Sequence, residues 1–139
     1  MEILNEIILH HTKGTGDLVN ITDEIVHIVG NSKLQTGNVT VFVVGSTAGI
    51  TTFEYEPGLI RDMREFLEKL VPSNKHYHHD DTWGDANGFS HLRATLTGPS
   101  LTIPFENGKL FLGTWQQVVL AEFDNRPRDR KVVVQIIGK

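Results

Sequence analysis

"SLTIPFENGKLFLGTWQQVVLAEFD" (residues 100–124), followed by the charged "NRPRDR" (125–130) and by "KVVVQIIG" (131–138), places three β-rich runs in the last third of the chain. The first run ends at Glu106, Asn107 and Gly108, and "ENGK" is a hairpin pattern because Asn and Gly both tolerate positive φ. The second run, 109–124, is predicted as one strand. "NRPRDR" then reads as a turn of solvated charge that leads into a third strand. Upstream, helices interrupt the strands without alternating strictly with them. That order predicts an α+β fold: a largely antiparallel β-sandwich with two or three helices, forming one domain over residues 1–139.

Working towards the N-terminus, "GFSHLRATLTG" (88–98) has the pattern of a short helix, whereas 73–90 has almost no periodicity and reads as a loop. A loop of that length inside a compact domain is usually functional or mobile. "PGLIRDMREFLEKLVP" (57–72) predicts a helix, with Pro57 in the first turn, an apolar series from Leu59 to Leu70, and Pro72 as its stop. "NVTVFVVGS" (38–46) is continuously apolar towards its middle, as for a central strand buried on both faces. "ITTFEYE" (50–56) follows across "STAG" and is expected to pair with it. "ITDEIVHIVG" (21–30) predicts a helix capped by Thr22 or Asp23, with Gly30 ending or interrupting it. "ILNEIILHH" (3–11) predicts a first strand, broken by "KGTGD".

A chain of 139 residues can bury roughly two thirds of the surface it exposes when unfolded, so one core suffices. The absence of cysteine excludes disulfides, thiolate-bound zinc and iron–sulfur clusters, and leaves any metal to histidine and carboxylate ligands. A formal net charge of −4 disfavours generic binding to nucleic acid. No apolar run approaches the roughly 18 residues of a membrane helix. A cytoplasmic location with no nucleic-acid and no membrane partner is the expectation.

"HHDDTWGDANGFSH" (78–91) crowds three of the seven histidines among carboxylates and glycines. His79 and His91 stand at the two ends of a segment that supplies Asp80, Asp81 and Asp85, a donor set suited to zinc or magnesium. The spacing matches neither His-Glu-x-x-His nor a calcium loop, and the same residues also read as a solvated polar loop. Asn87 and Ser90 can serve as helix caps or as ligands beside free backbone N–H groups. "GSTAG" (45–49) offers Ser46 and Thr47 either to an anion or to an ordinary tight turn. Glu54 is a candidate acid or base if its face looks into a cavity, and an exposed glutamate otherwise. "GTWQQ" (113–117) sets Trp115 beside amide donors, as in a pocket that stacks a flat ring, or else as a core tryptophan. Arg126, Arg128 and Arg130 could hold phosphate or simply be solvated.

Taken together, "GSTAGITTFEYEPG", "YHHDDTWGDANGFSHLRA", "GPSLTIPFENGKLFLGTWQQVVLAEFD" and "RPRDRKVVVQIIG" resemble the YjbQ-like family, whose members carry the label secondary thiamine-phosphate synthase. The resemblance runs from about residue 3 to the last. It implies a small domain built on a β-sandwich, assembled as a homotrimer, with its shared polar residues in a cleft near subunit contacts. His79, Asp80, Asp85, Asn87, Ser90 and His91 match the family's central motif, and Thr114, Trp115 and Gln116 its terminal one. In some relatives the segment aligned with "GSTA" begins with histidine, where this chain has Gly45. If that histidine is a ligand or proton carrier in those relatives, this chain lacks it.

The label implies coupling of a pyrimidine methyl diphosphate to a thiazole phosphate with release of pyrophosphate. A divalent metal ion such as zinc or magnesium, or protonated His79 and His91, would stand near the diphosphate. Ser46, Thr47 and Arg128 would assist, and Trp115 would lie beside the ring. A charge pair at about 4 Å is worth roughly 1 kcal/mol in water but about 4 at an effective dielectric of 20, so a sheltered cleft overcomes the unfavourable net charge. The alternatives are a metal-assisted hydrolase of a phosphorylated small molecule, with Asp85 or Glu54 as base, and a non-catalytic binder of a phosphorylated metabolite.

Overall fold

The computed structural model describes all 139 residues, Met1–Lys139. Eight strands and four helices follow in the order β1 (Glu2–His11), β2 (Leu18–Asn20), α1 (Thr22–Ser32), β3 (Thr36–Val44), β4 (Ala48–Glu54), α2 (Pro57–Leu70), α3 (His78–Trp83), α4 (Gly88–Thr97), β5 (Ser100–Glu106), β6 (Lys109–Leu110), β7 (Gln116–Glu122) and β8 (Asp129–Gly138). The α+β class holds. Two antiparallel sheets form, one ordered β1-β8-β3-β5-β6 and the other β2-β7-β4. No helix is long and apolar enough to cross a membrane.

The first core lies between the sheets. Val39, Val41 and Val43 of β3 meet Val132, Val134 and Ile136 of β8 on one side, and Ile50, Val118 and Leu120 of the smaller sheet on the other. Helix α1 adds Ile25 and Val29. A second core covers the opposite face of the smaller sheet, where Val119, Ala121 and Phe123 pack against Leu67 of α2 and Ala94 of α4. Alternating residues of β7 thus point into two different cores, which is why "VVLA" is apolar without interruption.

Several expectations are corrected. β3 is not buried on both faces: Phe42 and Val44 are 42% and 49% exposed on the outer side of the larger sheet. β3 does not pair with β4 either. The chain changes sheets at Gly45–Thr47, and β4 pairs instead with β7, Ala48 opposite Glu122. The run 109–124 is two strands, because β6 ends after the two-residue hairpin and residues 111–115 carry the chain across to the smaller sheet. "NRPRDR" joins two sheets and is no hairpin, since β8 pairs with β1 and β3. Helix α1 runs through Gly30 to Ser32, and neither Thr22 nor Asp23 caps it. The helix count is four, the additional one being α3, inside the segment expected to be a loop.

Two helices show their local causes plainly. Pro57 opens α2 with its fixed φ, and the Glu56 carboxylate accepts from the N–H groups of Gly58 and Leu59. Helix α3 has only six residues, and Asp80 holds both of its flanks. Its carboxylate accepts from Tyr77 N at 2.9 Å and from Gly88 N, the first residue of α4, at 3.0 Å. These two bonds keep the Asp80 carboxyl below the ordinary carboxylate range. A Cβ at Gly88 would lie 2.7 Å from that of Tyr77, so glycine is required where the two helices meet.

Candidate functional site

Asp80 fixes α3 against the start of α4, and that junction decides where the imidazoles go. The His79 and His91 rings stand with centroids 4.3 Å apart, tilted by 42°. Between them and the segment where the chain changes sheets lies a polar cleft of about 380 Å³, to which Ser46, Asp85, Asn87, Arg128 and Arg130 also contribute. Trp83, 75% exposed at the end of α3, stands at its edge.

Three buried atoms around the cleft have no hydrogen-bond partner: His79 Nδ1, Asn87 Oδ1 and Ser90 Oγ. Buried polar atoms are nearly always paired, so three orphans in one region set it apart from the rest of the fold. Burial lowers the pKa of His91, His79 beside it lowers it further, and Asp124 and Asp85 oppose this only in part. His91 is accordingly a neutral proton acceptor near neutral pH.

A layer of buried carboxylates stands behind the cleft. Burial alone would raise the pKa of Asp124, but hydrogen bonds from Arg128 and Asn87 and from the N–H of Asn125 outweigh it and hold the carboxyl low. Arg128 Nε donates to Asp124 Oδ2 at 2.6 Å. Glu122, fully buried at the end of β7, accepts from Arg130 through both oxygens at 2.6 Å. Thr47 lies between the two pairs, donating to Asp124 Oδ2 and accepting from Arg130 Nη2.

His79, His91, Asp85, Asn87, Ser46, Thr47 and Arg128 line this one cleft, and Ser90, next to His91 in the chain, is fully buried. Asn87 stands at the N-cap of α4, yet its side chain does not cap the helix; its amide donates to Asp124. Thr47 has its hydroxyl engaged behind the cleft and positions Arg130. Glu54, Thr114 and Trp115 lie elsewhere, around a separate hollow of about 330 Å³ with Asn20 and Tyr55. Gln116, next to that hollow, bonds Thr52 and Gly113 N.

Sequence reasoning missed Trp83, Asp124 and Glu122. Trp83 sits inside the quoted motif, where the histidines drew attention away from it. For Arg130 the sequence leaves a phosphate-holding and a solvated reading open, and the buried acid at Glu122 excludes the solvated one.

Two larger grooves, about 490 and 550 Å³, run between β1 and α1. Carboxylates of Glu2, Glu6, Asp23 and Glu24 line them and no guanidinium does, so their size does not make them anion sites. No group of three or more His, Asp or Glu side chains is gathered anywhere to hold a metal ion. At the cleft, His79, His91 and Asp85 line one hollow without being gathered closely enough to form such a group.

The family model described as "UPF0047 protein YjbQ-like" matches residues 6–139. The chain belongs to the YjbQ-like UPF0047 family. Among curated relatives, a UPF0047 protein of Archaeoglobus fulgidus is 42% identical over 121 residues, covering 87% of this chain and 91% of its own. One from Methanothermobacter thermautotrophicus is 37% identical over 139 residues, covering 100% and 95%. The crystal structure of a YbjQ-like protein of unknown function from Sulfolobus solfataricus superposes with a TM-score of 0.92 at 32% identity, covering 99% of each chain. None of these three descriptions names an activity, so this family member's chemistry has to be argued from its cleft.

Proposed function

We propose that the His79–His91 cleft binds a phosphorylated small molecule and displaces its phosphate-bearing leaving group, a reaction of the thiamine-phosphate synthase type. The supporting observation is the pairing of two facing imidazoles with two arginines, each held from behind by a buried carboxylate. In the reaction, the ring nitrogen of a thiazole phosphate attacks the methylene carbon of a pyrimidine methyl diphosphate. A C–N bond forms, the C–O bond to the diphosphate breaks, and pyrophosphate leaves. Arg128 would take charge developing on the leaving oxygens, and neutral His91 would accept or relay a proton at the ring nitrogens. Trp83, rather than Trp115, is the aromatic beside the cleft and would lie against the flat pyrimidine. Glu54, Thr114, Trp115 and Gln116 have no role in this reading. No step of this reading is assigned to a metal ion.

A homotrimer belongs to the same proposal. It is supported by the outer face of the larger sheet, where Ile3, Ile7, Leu9, Phe42, Val44 and Ile137 are exposed together. Sedimentation of wild type and of Phe42→Glu tests this, with a trimer that falls apart in the variant as the expected result.

The activity test is incubation with the two thiamine precursors and detection of thiamine phosphate. Product is expected from the wild type and not from His79→Ala or His91→Ala. No product from a folded wild type that binds pyrophosphate would leave a binder rather than an enzyme.

A further inference from the structure

Arg130 is one of two arginines that are almost wholly buried, the other being Arg93, and one of its nitrogens has no partner. Its side chain is only 7% exposed. Nε donates to Glu122 Oε2, and Nη2 donates to Glu122 Oε1 and, at 2.7 Å, to Thr47 Oγ1. Those bonds leave Nη1 free, and it is not among the enclosed unpaired atoms of the chain. It points at Gly45. A Cβ built on Gly45 would lie 2.7 Å from Nη1, and the φ of +145° is itself one that side-chain-bearing residues rarely adopt. Arg130 cannot swing aside, because the forked carboxylate and the threonine hydroxyl fix it. Only a residue without a side chain leaves Nη1 uncovered.

Arg128 complements it. Its Nε is engaged by Asp124 Oδ2, and its two terminal nitrogens bond to nothing in the chain. The hydroxyl of Thr47 bridges Asp124 Oδ2 and Arg130 Nη2, so both arginines are mounted on one frame. Glu122 and Asp124 cancel their formal charge. The cleft therefore attracts an anion through outward-pointing N–H donors rather than through net charge, and donor geometry then decides which anion fits.

Resting on the reading of the cleft as a phosphate site, we infer that Gly45 is its specificity-determining position: by keeping Arg130 Nη1 open beside Arg128, it makes a two-guanidinium seat that selects a two-phosphoryl group over a single phosphate. One phosphoryl takes the terminal edge of Arg128 and the next takes Arg130 Nη1. The absence of a histidine at this position is then the opening of a seat and not the loss of a catalytic group.

The test is calorimetric titration of the full chain with inorganic phosphate and with pyrophosphate, on wild type and Gly45→Ala, with melting curves to confirm folding. Wild type is expected to bind pyrophosphate about tenfold tighter than phosphate, the worth of an added charge-assisted hydrogen bond. Gly45→Ala should lose that tenfold while binding phosphate as before. If Gly45→Ala does not fold, arginine side-chain NMR of the wild type decides: the Arg130 guanidinium resonance should shift with pyrophosphate and not with phosphate. Equal affinities for the two anions, or an Arg130 resonance indifferent to both, overturn the inference and leave the cleft reading intact. A wild type that binds neither anion overturns both.

Discussion

Two hollows in this chain each present an aromatic and polar groups that a sequence reader would assign to one site, and they differ in what stands behind them. Around the His79–His91 cleft, Asp124 and Glu122 are fully buried and fix the arginines, threonine and asparagine in front of them. Around the Trp115 hollow, Glu54 and Trp115 are exposed, and the buried charge that would orient them is missing. Burying carboxylates costs several kcal/mol unless they are paired, so such a layer persists only where it positions something. The support behind a site distinguishes it from an accidental gathering of polar side chains.

The largest test of that contrast is Glu122→Gln, which leaves the Arg130 guanidinium buried without its counter-ion. We expect a loss of about 3–5 kcal/mol in urea denaturation, together with weaker binding of pyrophosphate. A stability change below about 1 kcal/mol would show that the layer supports nothing.

His79→Ala acts in front of the layer. Since His79 Nδ1 has no partner, its removal should leave stability within about 1 kcal/mol of wild type while weakening pyrophosphate binding about tenfold in calorimetry. A large loss of stability with unchanged binding would reassign His79 to the fold.

The His91 contribution appears in pH dependence. Its folded pKa lies below the ordinary 6.5, so the unfolded chain takes up the proton first. The stability held by neutral His91 is therefore complete above pH 6.5 and is lost as pH falls through 6.5 towards the lowered value. Denaturation midpoints of wild type should decline over that interval more steeply than those of His91→Gln. Parallel curves would remove His91 from the titrating groups of the cleft.

The smallest effect is expected in the other hollow. Trp115→Ala should change stability by no more than about 0.5 kcal/mol and leave anion binding untouched, because the ring is 71% exposed. Loss of binding in this variant, with binding retained in His79→Ala, would exchange the roles of the two regions.

Much of the fold could be read directly. Pro57 and Pro72 bracket α2, Asn107 and Gly108 make the hairpin turn with φ of 53° and 71°, and the valines of β3 and β8 alternate into the core. The misreadings share a cause: strand periodicity gives the face of a residue but not the sheet to which the strand belongs. β3 and β4 adjoin in sequence yet lie in different sheets, and the link between them at Gly45–Thr47 becomes a wall of the cleft. Helix α3 is illegible in the sequence because six residues are too few to show helical periodicity, and its order comes from a single carboxylate, Asp80, bonded to Tyr77 N before it and to Gly88 N at the start of α4.

The sequence by itself determined the α+β class, the main helices and strands, the family, and the motif that carries both imidazoles, since these depend on local backbone preference and on the order of residue types. Only the tertiary structure decided that Arg130 joins the cleft, that Trp83 and not Trp115 stands beside it, and that a Cβ at Gly45 would meet the Arg130 guanidinium. Such placements depend on contacts across the fold, as where Arg130 meets Thr47 over 83 positions, and distance in sequence carries no record of which buried groups will meet.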